Sequence, residues 1–285
     1  MRTWTASAML SALTLGSAIP ASAQAPQREG PVTRIDHFYA ESAAFQELLR
    51  FFKNTLQLPE AWPDQDYGSF ATGAVSLGNI TFEVLRFATS PVDGASFGGI
   101  ALEPVGDTES LVEWLTTAGV PHGIPSAFPP NGPAFFINTT ITRLSSGATR
   151  VFVCDYRDRQ RIHAGQAAWA AELAERNGGP LGILGVLELR LEATDVEGTR
   201  TAWSGLMATT EQNGDEVLVR FQAGPAIRII RGPADRLAGV ALSVRSLAAA
   251  TTFLDAAGLS ERSATGELRI ARDAVGGLEL SLVEP

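Results

Sequence analysis

The sequence predicts an α+β chain of four strand–helix–three-strand modules, arranged as two tandem halves. Three observations carry that prediction. The stretch from Gly99-Ile-Ala-Leu-Glu-Pro-Val to Ala118-Gly119-Val120 returns as Gly239-Val-Ala-Leu-Ser-Val-Arg to Ala257-Gly258-Leu259, at a nearly constant offset. A repeat spaced this far apart marks duplicated domains, because solenoid periods run about 20–50 residues. Within each copy an apolar run is followed by helical spacing: Leu111, Trp114, Leu115 and Ala118 in one, Leu247, Ala250, Leu254 and Ala257 in the other. Two segments also alternate with a period of two. Ile80, Phe82 and Val84 oppose Thr81, Glu83 and Leu85; Leu187, Leu189 and Leu191 oppose Glu188, Arg190 and Glu192.

Taken in order, residues 1–23 read as a secretory signal peptide. Arg2 supplies a positive charge, 9–18 an apolar core, and Ala21-Ser22-Ala23 a small-residue cleavage site. Export to a periplasm or exterior follows, with cleavage after Ala23. A first strand is expected from Val32 to Ala40, then an amphipathic helix with Phe45, Leu48, Leu49, Phe52 and Leu56 on one face, ended by Pro59 and Pro63. Two strands split by Gly73 are expected within Gly68–Gly78, and a third over Ile80–Phe87. The repeated element restarts this order at Gly98, with Asp107 or Thr108 as N-cap and Gly119 closing the helix. Strands around 134–142 and 149–156 complete the first domain, 32–160. Arg157 to Arg161 read as a solvated charged exit. A linker helix with Trp169 and Leu173 fills 161–182, stopped by Asn177-Gly178-Gly179-Pro180. The second domain, 183–285, repeats the plan, with Ser246 and Gly258 bounding its later helix.

Composition narrows the partners. With 45% hydrophobic and 19% charged residues the chain is globular, and its net charge of −9 argues against nucleic acid or an anionic membrane surface. No stretch is apolar enough for a membrane span. Cys154 is the single cysteine, so no intrachain disulfide forms. A small-molecule ligand is the expected partner, and a homo-oligomer is among the states the sequence allows.

The paired and duplicated module, together with Ile35-Asp36-His37-Phe38, Leu77-Gly78-Asn79-Ile80-Thr81-Phe82-Glu83-Val84 and Gly277-Leu278-Glu279-Leu280, resembles the vicinal oxygen chelate superfamily of glyoxalases, bleomycin-resistance proteins and extradiol dioxygenases. The resemblance spans Val32 to Pro285. It implies two tandem incomplete barrels, each around a cavity, with a divalent metal held by first- and last-strand residues. Matched by motif, His37 and Glu83 are the metal ligands of the first domain, Glu83 doubling as the catalytic group, with one ion such as Zn, Ni, Mn or Fe as cofactor. The pattern departs at Gly99, where a histidine is expected, and on the last strand, which offers Phe152, Cys154 or Asp155. Cys154 is the third ligand considered, although a lone cysteine is more often a small buried apolar group. In the second domain the matching positions hold Glu188, Arg228, Gly239 and Glu279. A guanidinium does not ligate metal, so these read as a metal-free cavity charge cluster in which carboxylates pair with Arg228.

His122 reads as a rim-loop residue and His163 as an exposed linker residue. Two readings of function result. One is a metal-assisted lyase, isomerase or dioxygenase acting on a small oxygenated molecule in the first cavity. The other is metal-free capture of a small molecule, of the bleomycin-resistance type.

Overall fold

The computed structural model describes residues 30–89, 93–145, 149–206 and 208–285. The expected signal peptide lies outside the described residues. The first half contains β1 (Val32–Ser42), α1 (Phe45–Arg50), β2 (Glu60–Asp66), β3 (Phe70–Ser76), β4 (Thr81–Phe87), β5 (Ala95–Pro104), α2 (Thr108–Thr117), β6 (Ser126–Phe128), β7 (Phe136–Thr140) and β8 (Arg150–Tyr156). A helix between the halves, α3 (Arg159–Glu175), leads to β9 (Ile183–Ala193), α4 (Val196–Ser204), β10 (Thr209–Asn213), β11 (Glu216–Arg220), β12 (Ala226–Arg231), β13 (Arg236–Val244), α5 (Leu247–Ala257), β14 (Ser260–Arg262), β15 (Leu268–Ile270) and β16 (Leu280–Val283). Each half is one eight-stranded sheet. The orders are β2-β3-β4-β1-β5-β8-β7-β6 and β10-β11-β12-β9-β13-β16-β15-β14, the same topology twice. The repeated segments occupy equivalent places, β5–α2 in the first half and β13–α5 in the second.

Local chemistry sets the helix ends. Asp107 accepts from Ser110 N, Asp195 from Gly198 N and Ser246 from Ala249 N, each satisfying a first-turn donor. The helical faces bury Leu48, Leu111, Leu115, Ala250 and Leu254 in a core continuous through both halves. A separate apolar cluster of Tyr39, Leu85, Ala101, Phe152 and Cys154 fills the concave face of the first sheet. Among the described residues no helix is long and apolar enough to cross a membrane.

Three local expectations are corrected and a fourth is sharpened. Gly73 does not split two strands: it lies inside β3, and β2 runs through Pro63 instead. A Cβ at Gly73 would sit 2.5 Å from Leu49 Cδ1 and 3.2 Å from Asp64 Cα, so the glycine admits a close neighbour rather than a turn. The first helix stops being α-helical after Arg50, and Phe51–Thr55 form a wider π-helical turn. The exit at 157–161 is solvent-exposed at Arg157, Asp158, Gln160 and Arg161, as expected, and from Arg159 it runs on as α3, capped by Asp158, with Arg159 bonded to Asp155 at 2.8 Å. Leu187 does not share the buried face with Leu189 and Leu191. The β9–β13 ladder skips from Glu188 to Val186, which bulges Leu187 outward to 47% exposure.

Candidate functional site on the concave face of the first domain

Three strands bring the site together. His37 on β1 pairs with Thr81 of parallel β4, and Tyr39 pairs with Glu83, so imidazole and carboxylate stand in adjacent rows of one face. Their Nε2 and Oε2 atoms are 3.5 Å apart. His37 is 5% exposed, and the Glu83 side chain keeps a partial opening. Thr72 of β3 donates to Glu83 at 2.5 Å and receives Trp62 Nε1 at 3.2 Å. The walls are aromatic. Trp62 and Phe152 lie edge-on to the imidazole with centroids at 6.4 and 5.8 Å. Further out, Tyr67 and Phe70 from one edge of the sheet pack on Phe128 from the other, and Phe128 stacks on Phe136.

Behind His37 stands Asp36, a residue that sequence reasoning left unused. Its Oδ2 lies 2.7 Å from His37 Nδ1 and accepts from Tyr156 Oη at 2.9 Å, while Oδ1 accepts from Gln166 Nε2 at 2.7 Å. Strict alternation would turn Asp36 away from the face that holds His37. The β1–β5 ladder passes from Ile35 to His37 with a bulge at Asp36, and the bulge lets neighbouring side chains meet. The adjacent Asp36-His37 pair was the one sequence signal available.

Electrostatics follow from burial. Burial pushes the Asp36 carboxyl up, but bonds from His37, Gln166 and Tyr156 outweigh it and hold the carboxyl below 3.8. Burial pushes His37 down, yet the Asp36 bond and the charges of Asp36 and Glu83 keep it above 6.5. Glu83 is raised above 4.5, by burial first and by Asp36, against the pull of His37 and Thr72. At 3.5 Å the two groups titrate as a coupled pair.

Does this donor set fit a resident divalent ion? His37 and Glu83 supply two donors, and catalytic sites ordinarily supply three. Among the described residues no group of three His, Cys, Asp or Glu side chains is gathered to hold a metal, so Cys154 does not complete a set with them. Burial raises the Cys154 thiol well above its ordinary range, so it stands as a neutral, apolar-like group in this face. The two remaining positions are closed to ligands. A Cβ at Gly99 would meet Arg150 O at 2.3 Å and Tyr39 Cε1 at 2.6 Å, because the Tyr39 ring lies across that backbone. Phe152, paired with Ala101 beside His37, turns a ring toward the imidazole where a last-strand ligand would reach. The residues present do not fit a resident catalytic metal.

The second sheet carries charges at the equivalent places. Glu188 pairs with Ala241 as His37 pairs with Ala101, and Arg228 pairs with Arg190 as Glu83 pairs with Tyr39. Arg228 Nε contacts both Glu188 oxygens at 2.9 Å, and its Nη1 meets Glu216 at 2.6 Å. Arg190 binds Glu267 through two bonds and Glu188 at 3.2 Å. Glu279 does not flank Arg228: it bonds Arg269 at 2.8 Å, because Ser281, not Glu279, stands in register with Phe152. His122 bridges Thr116 and the Gly123 carbonyl, away from this chemistry, and His163 meets Glu103 at 2.7 Å.

No family model matches the sequence, and no curated protein sequence does either. Solved structures do match. A variant of homoprotocatechuate 2,3-dioxygenase from Brevibacterium fuscum superposes with TM-score 0.59 at 12% identity, over 90% of this chain and 73% of that one. An extradiol ring-cleaving dioxygenase from B. fuscum gives 0.60 at 12% identity over the same shares. The chain has the vicinal oxygen chelate fold. A hypothetical protein from Staphylococcus aureus is as similar, with TM-score 0.60 at 10% identity over 88% of this chain and 98% of that one. At these identities the likeness concerns the vicinal oxygen chelate fold alone; two eight-stranded sheets in tandem are what the proteins share.

Proposed function

We propose that the concave face of the first domain binds a small oxygenated molecule and that Glu83 and His37 move a proton on it, in a reaction of the isomerase or lyase type. One observation carries the reading: the buried Asp36–His37–Glu83 chain on an aromatic-walled face. Buried ionisable groups are costly, and two of them facing each other with displaced pKa values form the arrangement proton transfer needs. Glu83, partly open, takes a proton from a carbon next to a carbonyl. Facing it, His37 holds or returns a proton at Nε2. Asp36 accepts the Nδ1 proton and balances the imidazolium, while Phe152, Trp62 and Leu85 exclude water. The second domain, its equivalent positions occupied by ion pairs, acts as a packing partner. The exported location follows the N-terminal reading and is part of this proposal.

The test is solvent exchange. Small 2-hydroxy ketones and 3-oxo acids incubated in D2O with the protein should gain deuterium at the carbon beside the carbonyl. Glu83→Gln should abolish the gain. Binding of these compounds without exchange would favour capture instead, which the aromatic lining also supports. A second chemical reading, an ion held by His37 and Glu83 with the ligand's own oxygens completing it, draws on the Nδ1–Asp36 bond that also orients metal-binding imidazoles. Exchange that requires added metal would replace the proposal with that reading.

A further inference from the structure

The proton pair belongs to the first domain, but one of its supports comes from outside it. Helix α3 joins the two halves, and among its buried residues only Leu173 is apolar and fully enclosed. Leu173 packs near Gly78 of the first half, and a second contact, through Gln166, is polar. Gln166 Oε1 accepts from Arg34 Nη2 at 2.5 Å, and Gln166 Nε2 donates to Asp36 Oδ1 at 2.7 Å. Arg34 is itself fixed by Glu103, its Nε lying 2.7 Å from Oε2. A guanidinium only donates, so it settles which end of the Gln166 amide faces which partner. The NH2 group must then face Asp36. With Oδ1 held by Gln166 and Oδ2 by Tyr156, the carboxylate plane is set, and Oδ2 meets His37 Nδ1 at 2.7 Å.

From this geometry we infer that Gln166 is a positioning residue: through Asp36 it fixes the His37 tautomer, with the proton on Nδ1 and the Nε2 side left for Glu83. The second half supplies an internal comparison. There the residue in the place of Asp36 is Leu187, 47% exposed, and the residue in the place of His37 is Glu188, held by Arg228. Among the described residues the polar chain to α3 is found in the half that carries the imidazole. The pocket of about 280 Å3 between α3 and the barrel is lined by Arg34, Asp36, His163 and Gln166, so the chain also borders water.

The inference rests on the proton-transfer reading only for its use, because the tautomer is read without any ligand. The chain contains three histidines, so 15N-histidine labelling gives three imidazoles, assigned with His122→Gln and His163→Gln. In the wild type His37 should show a proton bound to Nδ1. Gln166→Glu keeps the size and the Arg34 contact but puts an oxygen against Asp36 Oδ1. Loss of the Nδ1–H signal, or its averaging with an Nε2–H form, is expected, with melting and circular dichroism retained. Should that variant not fold, Gln166→Met, which lacks both bonds, gives the same readout, and Tyr156→Phe removes the other donor to Asp36. A wild-type His37 protonated on Nε2 alone overturns the inference. So does an unchanged Nδ1–H signal in folded Gln166→Glu or Gln166→Met. Deuterium exchange that fails in the wild type while the tautomer responds would sink the function and leave this inference standing.

Discussion

Replacing Arg228 by Gln tests whether the charge cluster on the second sheet is held by ion pairing. Glu188 is 4% exposed, and Arg228 provides its closest contacts, at 2.8 to 2.9 Å. Removing one partner of a buried pair costs about 3–5 kcal/mol, because the other charge is left uncompensated. Two features reduce that figure here. A third of the Arg228 side chain meets water, and Arg190 stays 3.2 Å from Glu188 after the change. A loss of about 1–3 kcal/mol is therefore expected. Glu188→Gln should cost less, because Arg228 keeps Glu216 at 2.6 Å and is a third exposed. The double replacement should cost clearly less than the sum, giving a coupling of about 1 kcal/mol or more. Urea unfolding of the four proteins at one pH measures all terms, provided the slope with denaturant stays constant. Single changes within about 0.5 kcal/mol of wild type, with no coupling, would refute the reasoning and make the network an exposed set of charges.

Three further outcomes are expected. Asp36 is depressed when folded, so its contribution is present above pH 3.8 and lost as pH falls through its folded value; His37 is raised, so its contribution is full below pH 6.5 and lost as pH rises through its folded value. Glu83, raised as well, acts in the same direction as His37. Urea midpoints should then fall from pH 6 toward alkaline pH, and His37→Gln should flatten that fall; an identical slope in the variant would contradict it. Gly99→Ala should destabilise by about 1–3 kcal/mol, since the new methyl meets the Arg150 carbonyl and the Tyr39 ring, and a urea midpoint equal to wild type would count against that packing. Protein recovered after export should begin at Gln24 by intact mass, and retention of Met1 would remove the exported reading.

The duplicated plan was legible because its signals are local. N-caps at Asp107 and Ser246, the glycines after the helices, and apolar spacing lie within single elements. His37 and Glu83 were singled out by their match to the superfamily's strand positions, and Glu83 also because a carboxylate amid Phe82, Val84 and Leu85 requires a partner. The bulge was not. At Asp36 it joins two residues that alternation would separate, and at Leu187 it exposes one that alternation would bury. Nor did the sequence announce Gln166, which lies 130 residues from Asp36 and depends on how α3 docks. The closure of the metal positions was half visible, as a glycine in place of histidine. That the Tyr39 ring and Phe152 fill the space is a matter of packing.

The central claim is that His37 and Glu83 serve as a proton pair without a resident metal. The direct measurement is deuterium exchange into a 2-hydroxy ketone by protein stripped with chelator, compared with the same protein given Zn, Ni, Mn or Fe. The account predicts equal exchange in every sample and none with Glu83→Gln. Exchange lost on chelation and restored by one of those ions would contradict it.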